Sequence, residues 1–452
     1  MIAFLALVLA VLGLIHLYLW KRLVRDPLRP GPARRAGGVV MILLAALAPV
    51  TLFLTRGGNA EWIGWVGYLW IALMFYLIIV LAVLEVPRLL IGLWLRRRAV
   101  PGPSPSEPVT VGASDPLRAR TAERSETNAP AAMTQTAAPG GCTIPPGGAP
   151  ESGDTPEPAG RPGGPLDSDV GGPGERTGIE RRLLLARGAA IFAGLTATGI
   201  TGYGVHTALG PPRLDRVRIP LAKLPRNLDG TRLAVVSDIH LGPLSASHHV
   251  GRIVAMINSL DADVVCIVGD LVDGSVAELG RYAEPLAQLK SRQGAFFVTG
   301  NHEYYRPDYQ DWVEEVARLG VRPLQNERVA LGGLDLAGVN DLAGLEYGQG
   351  PDFRAALGDR DKSRPVVLLA HQPVQVHEAA QYGVDLQLSG HTHGGQLAPF
   401  NLVVKAAGQP VVSGYGEVDG VPLYVTNGAG FWGPPVRVGA PPQVTLVELR
   451  TP

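Results

Sequence analysis

A short apolar strand that ends in an acidic residue is encoded at residues 264–273, which read VVCIVGDLVD. Five apolar residues, mostly β-branched, are followed by Gly269 and Asp270. A short apolar run of this composition favours a strand buried in a parallel sheet. Ligand sites of α/β sheets lie at the carboxyl ends of such strands, so Asp270 is expected at the edge where a site would form.

Five apolar runs of the C-terminal half end in this way, each with a polar side chain just after the strand. With a slash before the polar ending, the runs are LAVVS/DIH (233–240), VVCIV/GD (264–270), FFVT/GNHE (296–303), VVLLA/H (366–371) and LQLS/GHTH (386–393). Strand ends of one sheet edge lie close together, so we expect the endings to converge. The donor side chains that would meet are Asp238, His240, Asp270, Asn301, His371, His391 and His393.

These donors predict a metal site with two ions. Seven oxygen and imidazole donors are too many for one tetrahedral ion, but suit two ions about 3.5–4 Å apart that share a carboxylate. Asp270 is the expected bridge. A mixed nitrogen and oxygen shell suits Mn, Zn or Fe better than Mg or Ca. A single histidine after a strand is more often a structural residue, and it is the repetition of the pattern that favours metal binding.

The C-terminal half alternates strands with helices, which indicates an α/β domain. Strands are expected at 232–236, 264–268, 295–299, 334–339, 366–370, 385–389, 422–426 and 443–448. Helices are expected at 247–259, 276–290, 309–319 and 373–381.

The five endings resemble the motif blocks of the calcineurin-like metallophosphoesterase superfamily, and the resemblance covers roughly residues 230–450. It implies a four-layer α-β-β-α sandwich with two mixed sheets. The fuller forms GNHEYY (300–305) and GHTHGGQ (390–396) are similar to a bacterial membrane-attached branch, which includes relatives of the UDP-2,3-diacylglucosamine hydrolases.

The resemblance also implies roles for individual residues. One ion would take Asp238, His240, Asp270 and His393, and the other would take Asp270, Asn301, His371 and His391. His302 would be a non-ligand that contacts phosphate or protonates the leaving group, oriented by Asp273. Both are therefore candidate catalytic residues.

The residue after Asp273 bears on the substrate. Protein phosphatases of the superfamily carry an arginine there that clamps a phosphomonoester, whereas this chain has Gly274. The difference favours a phosphodiester or a pyrophosphate-linked substrate, with a lipid or cell-envelope molecule suggested by the neighbouring membrane segments. A phosphomonoesterase and a non-catalytic receptor or scaffold on the same fold are the alternatives.

The N-terminal part indicates a membrane protein. Residues 1–98 are expected to form three transmembrane helices, 99–178 a disordered linker rich in Pro and Gly, and 211–452 the catalytic domain. Residues 179–210 are expected to be a fourth transmembrane helix or a twin-arginine-like signal anchor, which would engage the twin-arginine export machinery.

Charge predicts the orientation of these helices. Six Lys and Arg residues lie between positions 21 and 35 and three at 96–98, whereas the loop at 55–61 has one Arg. The positive-inside rule therefore predicts a multi-pass protein of the cell membrane with the catalytic domain outside the cytoplasm. The chain has equal numbers of basic and acidic residues, 40 each, so no basic field indicates nucleic acid as a partner.

Overall fold

The computed structural model describes residues 2–54, 61–98, 173–242, 244 and 247–452. Most of the predicted linker lies outside these residues, as does the loop at 55–60. By its internal contacts the chain divides into residues 92–176 and the remainder. Of the first unit, the structure describes residues 92–98 and 173–176, which are helical.

Four long helices make up the apolar part of the chain within the described residues. They are α1 (Ile2–Leu19), which continues as a π-helix over Trp20–Arg25, α2 (Pro32–Leu54), α3 (Glu61–Arg98) and α4 (Pro173–Leu209). Each contains a segment long and apolar enough to cross a membrane, in agreement with the expected four.

Polar contacts join these helices at the end where the basic residues lie. Arg22 of the π-helix is 2.7 Å from the Glu85 carboxylate of α3. Arg187 of α4 donates a 3.0 Å hydrogen bond to the carbonyl oxygen of Pro27, between α1 and α2. The basic start of α4 and the basic loop after α1 therefore lie at the same end of the bundle.

The C-terminal half contains two six-stranded sheets. The first has the order β1-β12-β2-β3-β4-β5 and the second β10-β11-β9-β8-β7-β6. The strands are β1 (Arg213–Pro220), β2 (Arg232–Val236), β3 (Val264–Val268), β4 (Ala295–Val298), β5 (Val321–Pro323), β6 (Glu327–Leu331), β7 (Leu334–Gly338), β8 (Val366–Leu369), β9 (Leu386–Ser389), β10 (Gly414–Val418), β11 (Val421–Val425) and β12 (Gln443–Arg450).

Six helices accompany the sheets. They are α5 (Ser247–Asn258), α6 (Val276–Ala283), α7 (Tyr309–Arg318), α8 (Phe353–Leu357), α9 (Val376–Ala379) and α10 (Asn401–Ala406). Short 3-10 helices extend α6 over Glu284–Gln288 and flank α9, so the expected helices at 276–290 and 373–381 are each divided.

The buried apolar residues of the two sheets and of the helices that cover them form three layers of core. Val235 and Leu369 belong to the layer between the two sheets. The outer face of the first sheet packs on α5, α6 and α7 through residues such as Ile253 and Trp312. The outer face of the second sheet packs on α8 and α9, where Phe353 is buried. The predicted four-layer α-β-β-α sandwich with mixed sheets is confirmed.

Four strands were not predicted, and they are β1, β5, β6 and β10, the outermost strands of the two sheets. β1 alternates exposed and partly buried residues, and β10 reads GYGEV. An edge strand is covered on fewer sides than a central strand, so its sequence needs no continuous apolar run.

Candidate metal centre

The ends of five parallel strands place the predicted donors at one edge. β2, β3 and β4 are parallel neighbours in the first sheet, and β8 and β9 are parallel neighbours in the second. The backbone N–H of His391, after β9, donates to both oxygens of Asp238, after β2, at 3.1 Å. The two sheets therefore meet where the donor side chains are.

A first cluster consists of Asp238, His240 and His393, all buried. The Nε2 atoms of the two histidines are 2.9 Å apart, and His393 Nε2 is 3.3 Å from Asp238 Oδ1. Asp238 also accepts a short hydrogen bond from the Ser237 hydroxyl. Burial, His240 and Arg437 hold the pKa of His393 well below its usual range, which keeps its imidazole neutral, as a metal ligand must be.

A second cluster consists of Asp270, His371, His391 and Asn301. Asp270 Oδ2 is 3.1 Å from His371 Nε2, and His391 Nδ1 is 2.8 Å from Asn301 Oδ1. Burial, with the neighbouring His371, lowers the pKa of His391 to about 4, so this imidazole is also neutral at pH 7. All seven predicted donors thus lie in two adjoining groups.

The contact between His371 and Asp270 shows that the donors fit a cation. His371 Nδ1 is 2.8 Å from the carbonyl oxygen of Val268, which can only accept, so Nδ1 carries the proton. Burial lowers the pKa of His371, but the charge of Asp270 outweighs it and raises the pKa well above its usual range, so without a metal ion Nε2 carries a second proton. Nε2 makes no well-aligned hydrogen bond within the described part of the chain. A proton or a metal ion must separate two such atoms, and a mixed imidazole and carboxylate set suits a divalent transition metal.

The backbone at these donors is unusual. Five of the seven lie in the left-handed region with positive φ, at 51° for Asp238, 48° for His240, 51° for Asp270, 71° for His391 and 52° for His393. Such conformations are costly for residues other than glycine and cluster at functional sites. The fold therefore holds these side chains in place at some expense of stability.

Two of the glycines before the donors are required by close approach. A Cβ on Gly300 would collide with the Asp270 carboxylate, and a Cβ on Gly390 would collide with Asp238 and Ser237. Both positions bring backbone against a donor side chain, where only glycine fits.

Asp273 and His302 lie beside the first cluster. Asp273 Oδ1 is 2.7 Å from His302 Nδ1 and 2.8 Å from His240 Nδ1, so one oxygen accepts from both imidazoles. Burial lowers the pKa of His302, but the charges of Asp270 and Asp273 outweigh it and raise the pKa to about 9. His302 is therefore protonated at neutral pH, with Nε2 lying 3.9 Å from Asp270 Oδ2.

A side chain at the position after Asp273 would press on its neighbours. A Cβ on Gly274 would lie 2.9 Å from Leu279, and the carbonyl oxygen of Gly274 accepts a 2.6 Å hydrogen bond from the Trp312 indole. An arginine at this position would displace the Leu279 side chain.

Glu303 is a site residue that sequence reasoning left without a role. Its buried carboxylate accepts from the backbone N–H groups of Asp270, Leu271 and Gly300, at 3.1, 2.8 and 2.5 Å. It ties the end of β3 to the end of β4. Its position in the GNHE block is the feature of the sequence that could have indicated a role in the site.

Arg437 is a second residue that the sequence did not reveal. Its side chain is fully buried, and its Nη2 lies 2.9 Å from His393 Nδ1. It also donates to the carbonyl oxygens of Gly430, Asn427 and Ala440. Since Arg437 follows no strand, no pattern in the sequence marks it.

Comparison with known proteins agrees with this geometry. Residues 231–395 match the family model for calcineurin-like phosphoesterases. A zebrafish (Danio rerio) protein named transmembrane protein with metallophosphoesterase domain is 40% identical over 260 residues, which are 55% of this chain and 60% of the relative. The chain therefore spans less than two thirds of the length of that relative.

Two bacterial relatives are covered more fully. An uncharacterized metallophosphoesterase of Helicobacter pylori is 38% identical over 257 residues, 56% of this chain and 68% of the relative. One from Aquifex aeolicus is 35% identical over 244 residues, 53% of this chain and 92% of the relative. This chain belongs to the calcineurin-like metallophosphoesterases.

Proposed function

We propose that the chain is a membrane-anchored phosphoesterase that depends on two divalent metal ions and hydrolyses a phosphate ester. The observation that carries the proposal is the 3.1 Å approach of His371 Nε2 to Asp270 Oδ2, next to a second group of two imidazoles and a carboxylate. Electron-pair donors that face each other in a buried site need cations between them.

The ions would be Mn, Zn or Fe, held as the family motif implies. One would take Asp238, His240, Asp270 and His393, and the other would take Asp270, Asn301, His371 and His391. The position of Asp270 supports its role as the bridge, because the same Oδ2 atom is 3.1 Å from His371 and 3.9 Å from His240.

The residues around the ions would carry the proton transfer. A pair of bound divalent ions supplies hydroxide near neutral pH and neutralises charge on phosphate oxygens. His302 would donate the proton of Nε2 to the leaving oxygen. A poor leaving group would then depart as a neutral alcohol and not as an alkoxide. Asp273 would hold His302 by Nδ1 and stabilise its charged form.

The substrate would be a phosphodiester or a pyrophosphate-linked molecule, lipid-linked or part of the cell envelope. The packing at Gly274 supports this, since the arginine that clamps monoesters in protein phosphatases has no equivalent at this position. The apolar helices would keep the enzyme beside such a substrate.

The catalytic domain would lie outside the cytoplasm. The hydrogen bond from Arg187 to Pro27 places the basic start of α4 with the basic loop after α1, which the positive-inside rule assigns to the cytoplasm. α4 then leads outward to the catalytic domain. The exposed pair Arg181 and Arg182 would serve either as an ordinary cytoplasmic flank or as a twin-arginine export signal.

Hydrolysis by the purified full-length chain in detergent tests the proposal. With added Mn, the protein should hydrolyse bis-p-nitrophenyl phosphate faster than p-nitrophenyl phosphate, and Asp270→Asn should hydrolyse neither. Preference for the monoester would contradict the diester assignment. Metal-loaded protein that cleaves neither would instead support the receptor or scaffold.

A further inference from the structure

Helix α10 carries an apolar surface beside the metal centre. Phe400 at its start is 45% exposed, Leu402 is 64% exposed and Val403 is 54% exposed. We call these three residues the apolar rim. Lys405, also exposed, follows on the next turn, so the helix combines apolar residues with a basic one, as helices at a membrane surface do.

The apolar rim is continuous with the membrane helices. The ring of Phe400 packs edge-on against the ring of Phe75 of α3, with centroids 6.4 Å apart. Phe75 lies ten residues from Glu85, which pairs with Arg22 near the basic end of the bundle. At about 1.5 Å per residue this is ~15 Å, about half of a ~30 Å hydrocarbon core. When α3 crosses a bilayer, the side chain that Phe400 contacts lies among acyl chains.

The loop between β11 and β12 connects the membrane helices to the metal centre. The backbone N–H of Arg437 in this loop donates a 2.9 Å hydrogen bond to the carbonyl oxygen of Gly204, near the end of α4. Val436 of the same loop is buried among residues of α3 and α4. At the other end of the loop, the exposed ring of Trp432 is 6.2 Å from the ring of His302. The predicted acid is therefore on the side of the domain that faces the helices.

We propose that the apolar rim is inserted in the outer leaflet of the bilayer that the helices cross, so that the metal centre opens onto lipid headgroups. The substrate class that fits this placement is a phosphodiester carried by a membrane lipid, which would reach His302 past Trp432 without leaving the membrane. This substrate assignment rests on the proposed phosphoesterase function, whereas the insertion of the rim does not.

Insertion is measured with a nitroxide label on the full-length protein in phosphatidylglycerol and phosphatidylethanolamine vesicles. Leu402→Cys is labelled in a Cys142→Ser background, since Cys266 is fully buried. The control is Leu345→Cys, because Leu345 is equally exposed, at 65%, in a 3-10 helix (Leu342–Tyr347) after β7. The label at 402 should collide more with oxygen than with a water-soluble nickel chelate, and the label at 345 should show the reverse. A label at 402 as accessible to nickel as that at 345 would overturn the proposal.

Activity then tests the substrate class. The double variant Leu402→Glu with Val403→Glu should lose about tenfold or more of its turnover of a p-nitrophenyl phosphatidyl ester in vesicles, because carboxylates are expelled from lipid. Its turnover of soluble bis-p-nitrophenyl phosphate should stay unchanged, and Leu345→Glu should alter neither rate. Equal turnover of the vesicle ester by the double variant and the wild type would contradict the lipid assignment. Absence of soluble turnover in the wild type would instead count against the phosphoesterase function.

Discussion

Asp273 Oδ1 lies 2.7 Å from His302 Nδ1, and the same oxygen is 2.8 Å from His240 Nδ1. One carboxylate thus orients the predicted general acid and a predicted metal ligand together. Asp273→Asn keeps the shape of the side chain but removes its negative charge. We therefore expect turnover to fall about ten- to a hundredfold, as it does when other hydrogen-bond partners of metal-binding histidines are replaced. Steady-state kinetics with Mn would measure the loss. Asp361→Asn, on an exposed turn before β8, should leave turnover unchanged, and an equal loss there would point to a general effect of removing charge.

His302→Ala separates proton donation from metal binding. We expect bound metal to be unchanged and turnover of an alkyl phosphodiester to fall about a hundredfold or more, as general acids contribute. The loss should be small for bis-p-nitrophenyl phosphate, since nitrophenolate leaves without a proton. Normal turnover of the alkyl ester by the variant would refute the acid role.

The pH dependence should follow the protonation of His302. Its pKa is raised to about 9 because Asp270 and Asp273 outweigh the effect of burial. The protonated form is the acid, so turnover of the alkyl ester should persist above pH 7 and decline between about 6.5, where an ordinary histidine loses its proton, and about 9, because bound ions would neutralise Asp270 and leave the effect of Asp273. In Asp273→Asn the decline should move to lower pH. If turnover of both proteins declined at the same alkaline pH, the decline would be due to a group other than His302.

The central strands of the fold could be predicted because they are buried on both faces. β3 and β8 are continuous apolar runs, and their alignment in two sheets brought their polar endings together. The edge strand β1 escaped prediction because its pairing depends on β12, which is distant in sequence. β10 pairs with the adjacent β11, and it escaped because its sequence GYGEV contains no apolar run. Helix α10 escaped as well, since six residues are too few to show a helical period.

The donor residues of the site could be predicted because they directly follow strands. Asp270, for example, could be found in this way, because it comes just after β3. Arg437 could not, since its burial beside His393 depends on a loop that packs between the site and α4. The left-handed backbone of residues such as His240 is likewise a result of tertiary packing rather than of local sequence.

Arg437 should contribute strongly to stability. Arg437→Met leaves the carbonyl oxygens of Gly430, Asn427 and Ala440 without their donor, so we expect the free energy of unfolding to fall by about 3 kcal/mol. Urea unfolding in detergent, followed by tryptophan fluorescence, would measure it. Arg318→Met is the control, because Arg318 is 55% exposed and its ion pairs should contribute little to stability. Equal losses for the two variants would argue against a structural role for the buried guanidinium.

The metal content of the purified protein tests the dinuclear centre most directly. Elemental analysis of full-length wild type, after equilibration with Mn or Zn and removal of free metal, should give two ions per chain. Asp270→Asn should retain at most one, because both ions would share this carboxylate. A wild type that binds no transition metal, or an Asp270→Asn variant that still holds two ions, would contradict the dinuclear centre.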